Sequence, residues 1–357
     1  MRSGNAQADL ESVSSRADFQ CPVVVSVRRP KPSKVFETYW RFAAERQNMF
    51  YRRLNGIDPL TQDATLNAFR FTNVFRASDR VSQYLINVVI PKSQASSVDT
   101  FFRVILFKTF NRISTWELLE ERLGPLHWPE ADLAACDRVL TDAKRSGIRI
   151  YSAAYIMPDP PLGGLSKHSD HLQLLAMMMG DRAPERVAEA QTMEDAYKTL
   201  LRYPSIGPFL AYQYVVDLNY SNLTHFSEMD FVVAGPGAVD GIIKCFPDTA
   251  DMPTSELIRY TAHVAEEWAG QLGVQVPSLW GRPPQLIDYQ NLFCEVGKYA
   301  RVEHPEVRGR TGRARIKQRY RCDSTPIAWG YPTEWRLPLA TASVDSMTVA
   351  YPGVGGT

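Results

Sequence analysis

The chain has 357 residues, of which 45% are hydrophobic and 22% charged, and its net charge is +1. This is an ordinary globular composition, long enough for two or three domains and a sizeable core. It excludes a global polycation, so a polyanion would have to be gripped through a local patch. No apolar run is long enough to span a bilayer, so no membrane role is expected.

Residues 1–30 open with a polar stretch that lacks a signal-peptide core and read as a disordered lead-in. Helical periodicity dominates from there on, and the expected fold class is all-α. In "SKVFETYWRFAAERQNMFYRRLNG", Phe36, Tyr39, Trp40, Phe42, Ala43, Met49 and Phe50 fall largely on one side, with Ser33 as N-cap and Gly56 as stop. "TQDATLNAFRFTNVFRASDRVSQYLINVVI" continues with one or two helices. "SVDTFFRVILFKTFNRISTWELLEERLG" predicts a pair, the first capped by Ser97 or Asp99. Asp132 to Gly147 reads as another helix. "SDHLQLLAMMMGD", "PERVAEAQTMEDAYKTLLRYP", "SELIRYTAHVAEEWAGQLG" and "PQLIDYQNLFCEVGKYARV" complete the helical part. Beyond Glu303 the character changes. "RGRTGRARIKQRYR" holds seven basic residues in fourteen and leads into a polar, glycine-rich end. The segment 304–357 is expected to be extended or irregular. In an extended chain Arg313, Arg315, Lys317 and Arg319 would line one side and meet phosphates; a solvated tail is the alternative.

The five cysteines, Cys21, Cys136, Cys245, Cys294 and Cys322, are scattered and never spaced as C-x-x-C. Zinc, iron–sulfur and disulfide roles are not expected, and a reducing cytoplasm fits best.

"RYPSIGPFLAYQYVVDL" breaks a helical pattern after Leu201 and restarts it at Pro208. Proline suits a first helical turn, where its missing N–H costs nothing. Ser205, Ile206 and Gly207 let the backbone turn and leave N–H groups at the positive end of the second helix, which suits a phosphate oxygen. An ordinary interhelical turn is the competing reading. Downstream, "EMDFVVAGPGAVDG" supplies carboxylates. "FRASDRVSQY" gathers Arg76, Asp79, Arg80 and Gln83, which could read a base edge or form a buried salt-bridge network. "CEVGKY", with Glu295 and Lys298, reads as structural.

With the hairpin, "FFRVILFKTFNRISTWELL" and "LTDAKRSGIRIYSAAYIM" in that order, the chain resembles the helix–hairpin–helix DNA glycosylase superfamily. "YWRFAAERQNMFYRRLNG", "GPFLAYQYVVDLNYS", "AGPGAVDGI" and "NLFCEVGKY" resemble one branch of it. That branch holds the predicted α-glutamyl/putrescinyl-thymine pyrophosphorylases, the helical domain attached to phage 5-hydroxymethyluracil DNA kinases, and antiviral glycosylases for glucosylated hydroxymethylcytosine. No G-x-x-x-x-G-K-[ST] occurs, so kinase activity is not carried over.

The resemblance implies a helix–hairpin–helix glycosylase-like fold. One helical domain would be built from 31–97 and 242–303, and another from 98–241. It implies a monofunctional DNA glycosylase in antiviral defence. Such an enzyme flips a hypermodified pyrimidine out of double-stranded phage DNA and excises it, leaving an abasic site. No lysine follows Gly207 to form a Schiff base. An oxocarbenium-like state needs a carboxylate, and the position after the hairpin matches Asp230; Asp240, Asp217 and Glu228 are the rivals. Ser205, Ile206 and Gly207 would hold DNA. Arg76, Asp79, Arg80, Gln83 and Tyr212 would line the base pocket. No cofactor, metal or obligate protein partner is implied, and a monovalent cation at the hairpin is the one ion this reading allows. The alternative is a transferase or pyrophosphorylase that hypermodifies 5-hydroxymethyl pyrimidines and leaves the glycosidic bond intact.

Overall fold

Ser33 opens the first helix as its spacing predicts: its Oγ accepts a hydrogen bond from Val35 N at 3.1 Å. The structure is a computed structural model that describes residues 29–93, 96–155, 157–249, 251–322, 325 and 327–338. Most of the expected lead-in and the end of the expected tail therefore lie outside the described residues.

Among the described residues the fold is all-α. The helices are α1 (Lys34–Leu54), α2 (Ala64–Ala68), α3 (Arg80–Tyr84), α4 (Ser97–Phe110), α5 (Ile113–Leu123), α6 (Leu133–Arg145) and α7 (Lys167–Gly180). They continue with α8 (Ala183–Ala188), α9 (Met193–Leu201), α10 (Pro208–Leu218), α11 (Pro236–Cys245), α12 (Thr254–His263), α13 (Ala265–Leu272) and α14 (Leu286–Glu303). Extended pairing is limited to isolated bridges, Phe69 with Arg319 and Leu279 with Arg282.

Several boundaries differ from the expectation. The cap of α4 is Ser96, whose Oγ faces Asp99 N, rather than Ser97 or Asp99. Asp99 instead turns to His127 and Trp128 N, at 2.9 and 2.8 Å. The "PERVAEAQTMEDAYKTLL" stretch is two helices because Thr192 caps a second start, accepting from Asp195 N. "SELIRYTAHVAEEWAGQLG" likewise breaks between α12 and α13 at Val264. After α2 the chain runs extended to a short 3₁₀ turn at Arg76–Ser78, and α3 runs on into a wider π turn over Leu85–Val89.

Two groups of helices result. In one, α11 lies along α14, with α1 and α12 against the pair and α13 against α1. The α11–α14 crossing is backbone against backbone: a methyl at Gly241 would overlap the Phe293 carbonyl, and one at Gly297 would stand 2.8 Å from Gly241 Cα. In the other, α4 is central. Every residue from Asp99 to Phe110 is buried, and α5, α7, α8 and α10 pack around it. The stretch 69–79 lies between the groups and ties them, because Arg76 bonds both α14 and α10.

Candidate functional site

The expected hairpin is present as α9, a tight connection, and α10. Ser205 sits at φ +62°, with its Oγ donating to the Asp159 carbonyl at 3.0 Å. The Ile206 side chain is buried, while Gly207 is exposed as the N-cap of α10. The Ile206 N–H is already engaged by the Tyr203 carbonyl at 3.2 Å. Tyr155, also at positive φ, stacks flat on Phe209 in the first turn of α10, with ring centroids 5.7 Å apart.

Further along α10 lies a sealed charge cluster. Asp217 is fully buried and accepts from Arg76 Nη1 at 2.8 Å. Lys108 Nζ stands 3.3 Å from its other oxygen, an ionic contact without hydrogen-bond alignment. Arg76 also donates to Gln213 Oε1 at 3.0 Å and to the Tyr220 hydroxyl at 3.2 Å, and its own backbone N–H reaches Asp288 at 2.8 Å. Tyr155 lies across both cations. Burial pushes Lys108 down to about 8 despite the pull of Asp217. Burial also opposes the Arg76 charge, but Asp217 and the neighbouring tyrosines outweigh it and hold that guanidinium above its ordinary value. Arg76 and Asp217, expected in different roles, are thus one buried ion pair linking the two helix groups.

The open site is elsewhere, at the C-terminal end of α10. A groove of about 1280 Å³ is bounded by the 225–230 loop, α12, α13, the 274–286 connection and the segment around Trp335. Glu228 is buried in its wall, with Arg282 Nη2 3.4 Å from its carboxylate. Burial raises the Glu228 carboxyl to about 7, with Arg282 opposing and Asp288 adding to the rise. Arg282 lies over the Trp335 ring at 3.9 Å, and its Nε has no hydrogen-bond partner. Asp230 is exposed on the same lip. Its carbonyl and that of Met229 are clasped by Arg259. Asp288 caps α14 by accepting from Gln285 N at 2.9 Å, and burial raises it to about 6.

The remaining expected residues disperse. Asp240 is buried in the middle of α11, not at its start, and accepts from Thr311 N and Oγ1 at 2.8 and 3.0 Å. Asp79 accepts from Asn73 N, and its carboxyl is raised to about 6 by burial. Arg80 Nη2 donates to the Thr325 carbonyl. Gln83 is buried and fully engaged: its amide pairs with both the carbonyl and the N–H of Gly330, at 2.9 and 2.8 Å. Tyr212 is buried with its ring edge-on to Phe231, and burial raises its hydroxyl pKa far above the ordinary range. Arg76, Asp79, Arg80 and Gln83 therefore line no common pocket. Helical spacing was the wrong premise there, since Arg76 lies in a 3₁₀ turn before α3 begins. Arg313, Arg315, Lys317 and Arg319 are all exposed on an extended strap.

Sequence reasoning missed Arg282, Trp335 and Lys108. Lys108 carried a signal, a cation within the apolar run of α4, where Arg103 stands as well. Arg282 and Trp335 carried none, being loop residues brought to Glu228 only by the fold. Among the described residues no group of three or more His, Cys, Asp or Glu could hold a metal ion. No helix there is long and apolar enough to cross a membrane.

Residues 33–309 match the family model described as "5-hmdU DNA kinase, helical domain". A curated relative, the 5-hmdU DNA kinase of Bacillus phage SP10, is 24% identical over 289 residues. The match covers 74% of this chain and 45% of the relative, so the chain spans about half the length of the curated protein it matches. No solved structure matches. These findings overturn the expectation of a hydrolytic N-glycosylase that excises a base in antiviral defence. The family and the relative's name indicate group transfer onto DNA, and the transferase alternative fits them better.

Proposed function

Because the chain belongs to the family of the 5-hmdU DNA kinase helical domain, we propose that it is a transferase acting on a 5-hydroxymethyl pyrimidine in DNA. In this reading it replaces an activating pyrophosphate on the methylene carbon with an amine or amino acid. The carrying observation is the Glu228–Arg282 pair in the wall of the groove.

An amine is a nucleophile only when deprotonated, so a base with a pKa near neutrality is needed. Glu228, raised to about 7, meets that requirement. The nitrogen lone pair attacks the methylene carbon and a C–N bond forms. The C–O bond to the pyrophosphoryl group breaks, and pyrophosphate departs with the electron pair. The proton released from nitrogen goes to Glu228. Arg282 and Arg259, which both line the groove, are the cations for the departing anion. Asp230, exposed two residues after Glu228, is placed to receive the positive end of the incoming amine. The groove volume of about 1280 Å³ exceeds the ~300–1,000 Å³ usual for a single small ligand, which supports room for a nucleotide and a second reactant. In the same reading the backbone at Ser205 and Gly207 meets a phosphate of the DNA, the Ile206 N–H being engaged by Tyr203.

The activated substrate must come from a phosphorylating enzyme, the activity that the relative's name carries. The test is to incubate the protein with DNA bearing pyrophosphorylated 5-hydroxymethyluracil and a panel of amines and amino acids, then digest to nucleosides for mass spectrometry. A heavier nucleoside with an intact glycosidic bond is expected. Unchanged nucleosides with every amine would overturn the proposal.

A further inference from the structure

The strap carrying the basic run has no part in the chemistry above. Between Arg308 and Arg321 it carries seven cationic side chains and not one carboxylate. A solvated tail of that composition would be free of the protein body, but this one is fastened along its length. At its start, Thr311 binds the buried Asp240 through both its backbone and its hydroxyl, and Gly309 lies so close to that carboxylate that a methyl would overlap it. In the middle, Ile316 is buried and Arg301 reaches the Arg315 carbonyl. At its end, Arg70 N donates to the Gln318 carbonyl at 3.0 Å, and Tyr320 N donates to that of Ala68 at 3.1 Å. The Tyr320 hydroxyl accepts from Arg53 at 3.1 Å.

The strap ends beside the last turn of α1. Arg53 stands at the end of α1, and two residues earlier Tyr51 donates to the Ser278 carbonyl on the groove's rim at 2.6 Å. Phe50 touches Trp280 of the groove and Trp329 of the C-terminal segment.

We infer that residues 308–321 form a pre-ordered cationic rail that seats the DNA backbone beside the C-terminal turn of α1. The occupant follows from charge. Exposed guanidinium and ammonium groups with no interleaved acid fit a polyanion of regular charge spacing. Alternate residues of an extended chain repeat every ~6.6 Å along one side. Because the strap is already fixed, the ordering cost that a free tail would meet on binding is largely absent. Phosphate contacts position a protein without reading sequence, so the rail grips modified and unmodified DNA alike and selection belongs to the groove. The inference rests on the DNA-modifying reading for the identity of the polyanion, and on the strap alone for the grip.

The experiment measures binding of two duplexes, one with 5-hydroxymethyluracil and one with thymine, across a salt series. The wild-type protein is compared with the triple variant Arg313→Gln/Arg315→Gln/Lys317→Gln. Each lost phosphate contact lowers the slope of log K against log salt by ~0.9, so a reduction of about 2–3 is expected, equal for both duplexes. The triple Arg313→Lys/Arg315→Lys/Lys317→Arg variant should restore the slope. Lysine acetylation of the wild-type protein, read by mass spectrometry, should show Lys317 protected when duplex is added; this covers the case of a variant that fails to fold. An unchanged slope, or Lys317 equally reactive with and without DNA, overturns the rail. Equal binding of poly-glutamate would assign the strap to acidic proteins and also overturn it. A changed slope without any modified nucleoside would sink the transferase proposal and leave the rail standing.

Discussion

Two arginine–carboxylate pairs in this molecule both bury the carboxylate and differ in what surrounds it. Arg76 and Asp217 meet at 2.8 Å with both side chains out of solvent, and Arg76 makes further hydrogen bonds to Gln213 and Tyr220. Arg282 and Glu228 meet at 3.4 Å on a groove, with Arg282 Nε unpaired. The first pair is enclosed and joins two groups of helices, with Asp217 Oδ2 left facing Lys108. The second borders an open groove that a molecule from outside can enter. Burial alone does not identify a reactive carboxylate; the useful signs are a raised pKa and an open face together.

The comparison can be broken in four ways. The largest effect should come from Asp217→Ala, which strands Arg76 and Lys108 as unpaired buried charges. A loss of about 3–5 kcal/mol in denaturant unfolding is expected, and a loss below 1 kcal/mol would mean that the sealed cluster is not what holds the helix groups together. Glu228→Gln should instead leave the fold intact and reduce product formation by roughly 10²–10⁴-fold; matched losses of stability and rate would erase the distinction between the pairs. Arg282→Gln removes the charge that lowers the Glu228 pKa. The rising limb of rate against pH, expected near 7 in the wild-type protein, should move to higher pH, and an unmoved limb would detach Arg282 from Glu228.

The smallest effect concerns stability against pH. Glu228 titrates at about 7 when folded, against an ordinary 4.5. The folded state therefore holds this proton more tightly. Its contribution is complete below pH 4.5 and is lost as pH rises through about 7. Asp79 and Asp288, raised from 3.8 to about 6, act in the same direction over a lower window. Glu228→Gln should remove the upper part of the decline and leave the part below about pH 6, as followed by thermal unfolding across pH. A decline identical to wild type would place the Glu228 titration outside the folding equilibrium.

Much of this architecture could be read from local pattern. Ser33 as a cap, Pro208 as a first-turn proline and the apolar face of α1 are decided within a few residues, so the sequence exposes them. The breaks at Thr192 and Val264 escaped because both interrupt runs of good helix formers, where a cap competes with continued periodicity. The site was less legible. Glu228 stood only as a rival to Asp230, since nothing local distinguishes a carboxylate that will be walled in from one that will face water. Arg282 lies 54 positions away and Trp335 further still, and a proximity made by tertiary folding leaves no mark on spacing. The activity inferred from the hairpin was wrong for a related reason. A turn between helices suits a phosphate whatever the reaction, while the proposed chemistry is assigned to side chains at the other end of α10, roughly 16 Å along its axis.

The Gln83–Gly330 contact has a consequence for how the groove opens. A side-chain amide that matches both the N–H and the carbonyl of one residue substitutes for a single rung of a β-ladder. The segment bearing Trp335 is hung on that rung, on Asn87 reaching the Ala328 carbonyl, and on the Ser78–Tyr331 hydroxyl pair. Those bonds contribute about 0.5–1.5 kcal/mol each, and Arg282 and Tyr220 against Trp335 and Phe50 against Trp329 add packing, so this wall should open locally at less than the cost of global unfolding. Hydrogen exchange at Gly330 would then run ahead of exchange in α4 and α14, marking the wall as a separately melting unit and the groove as a site whose mouth is set by local rather than global stability.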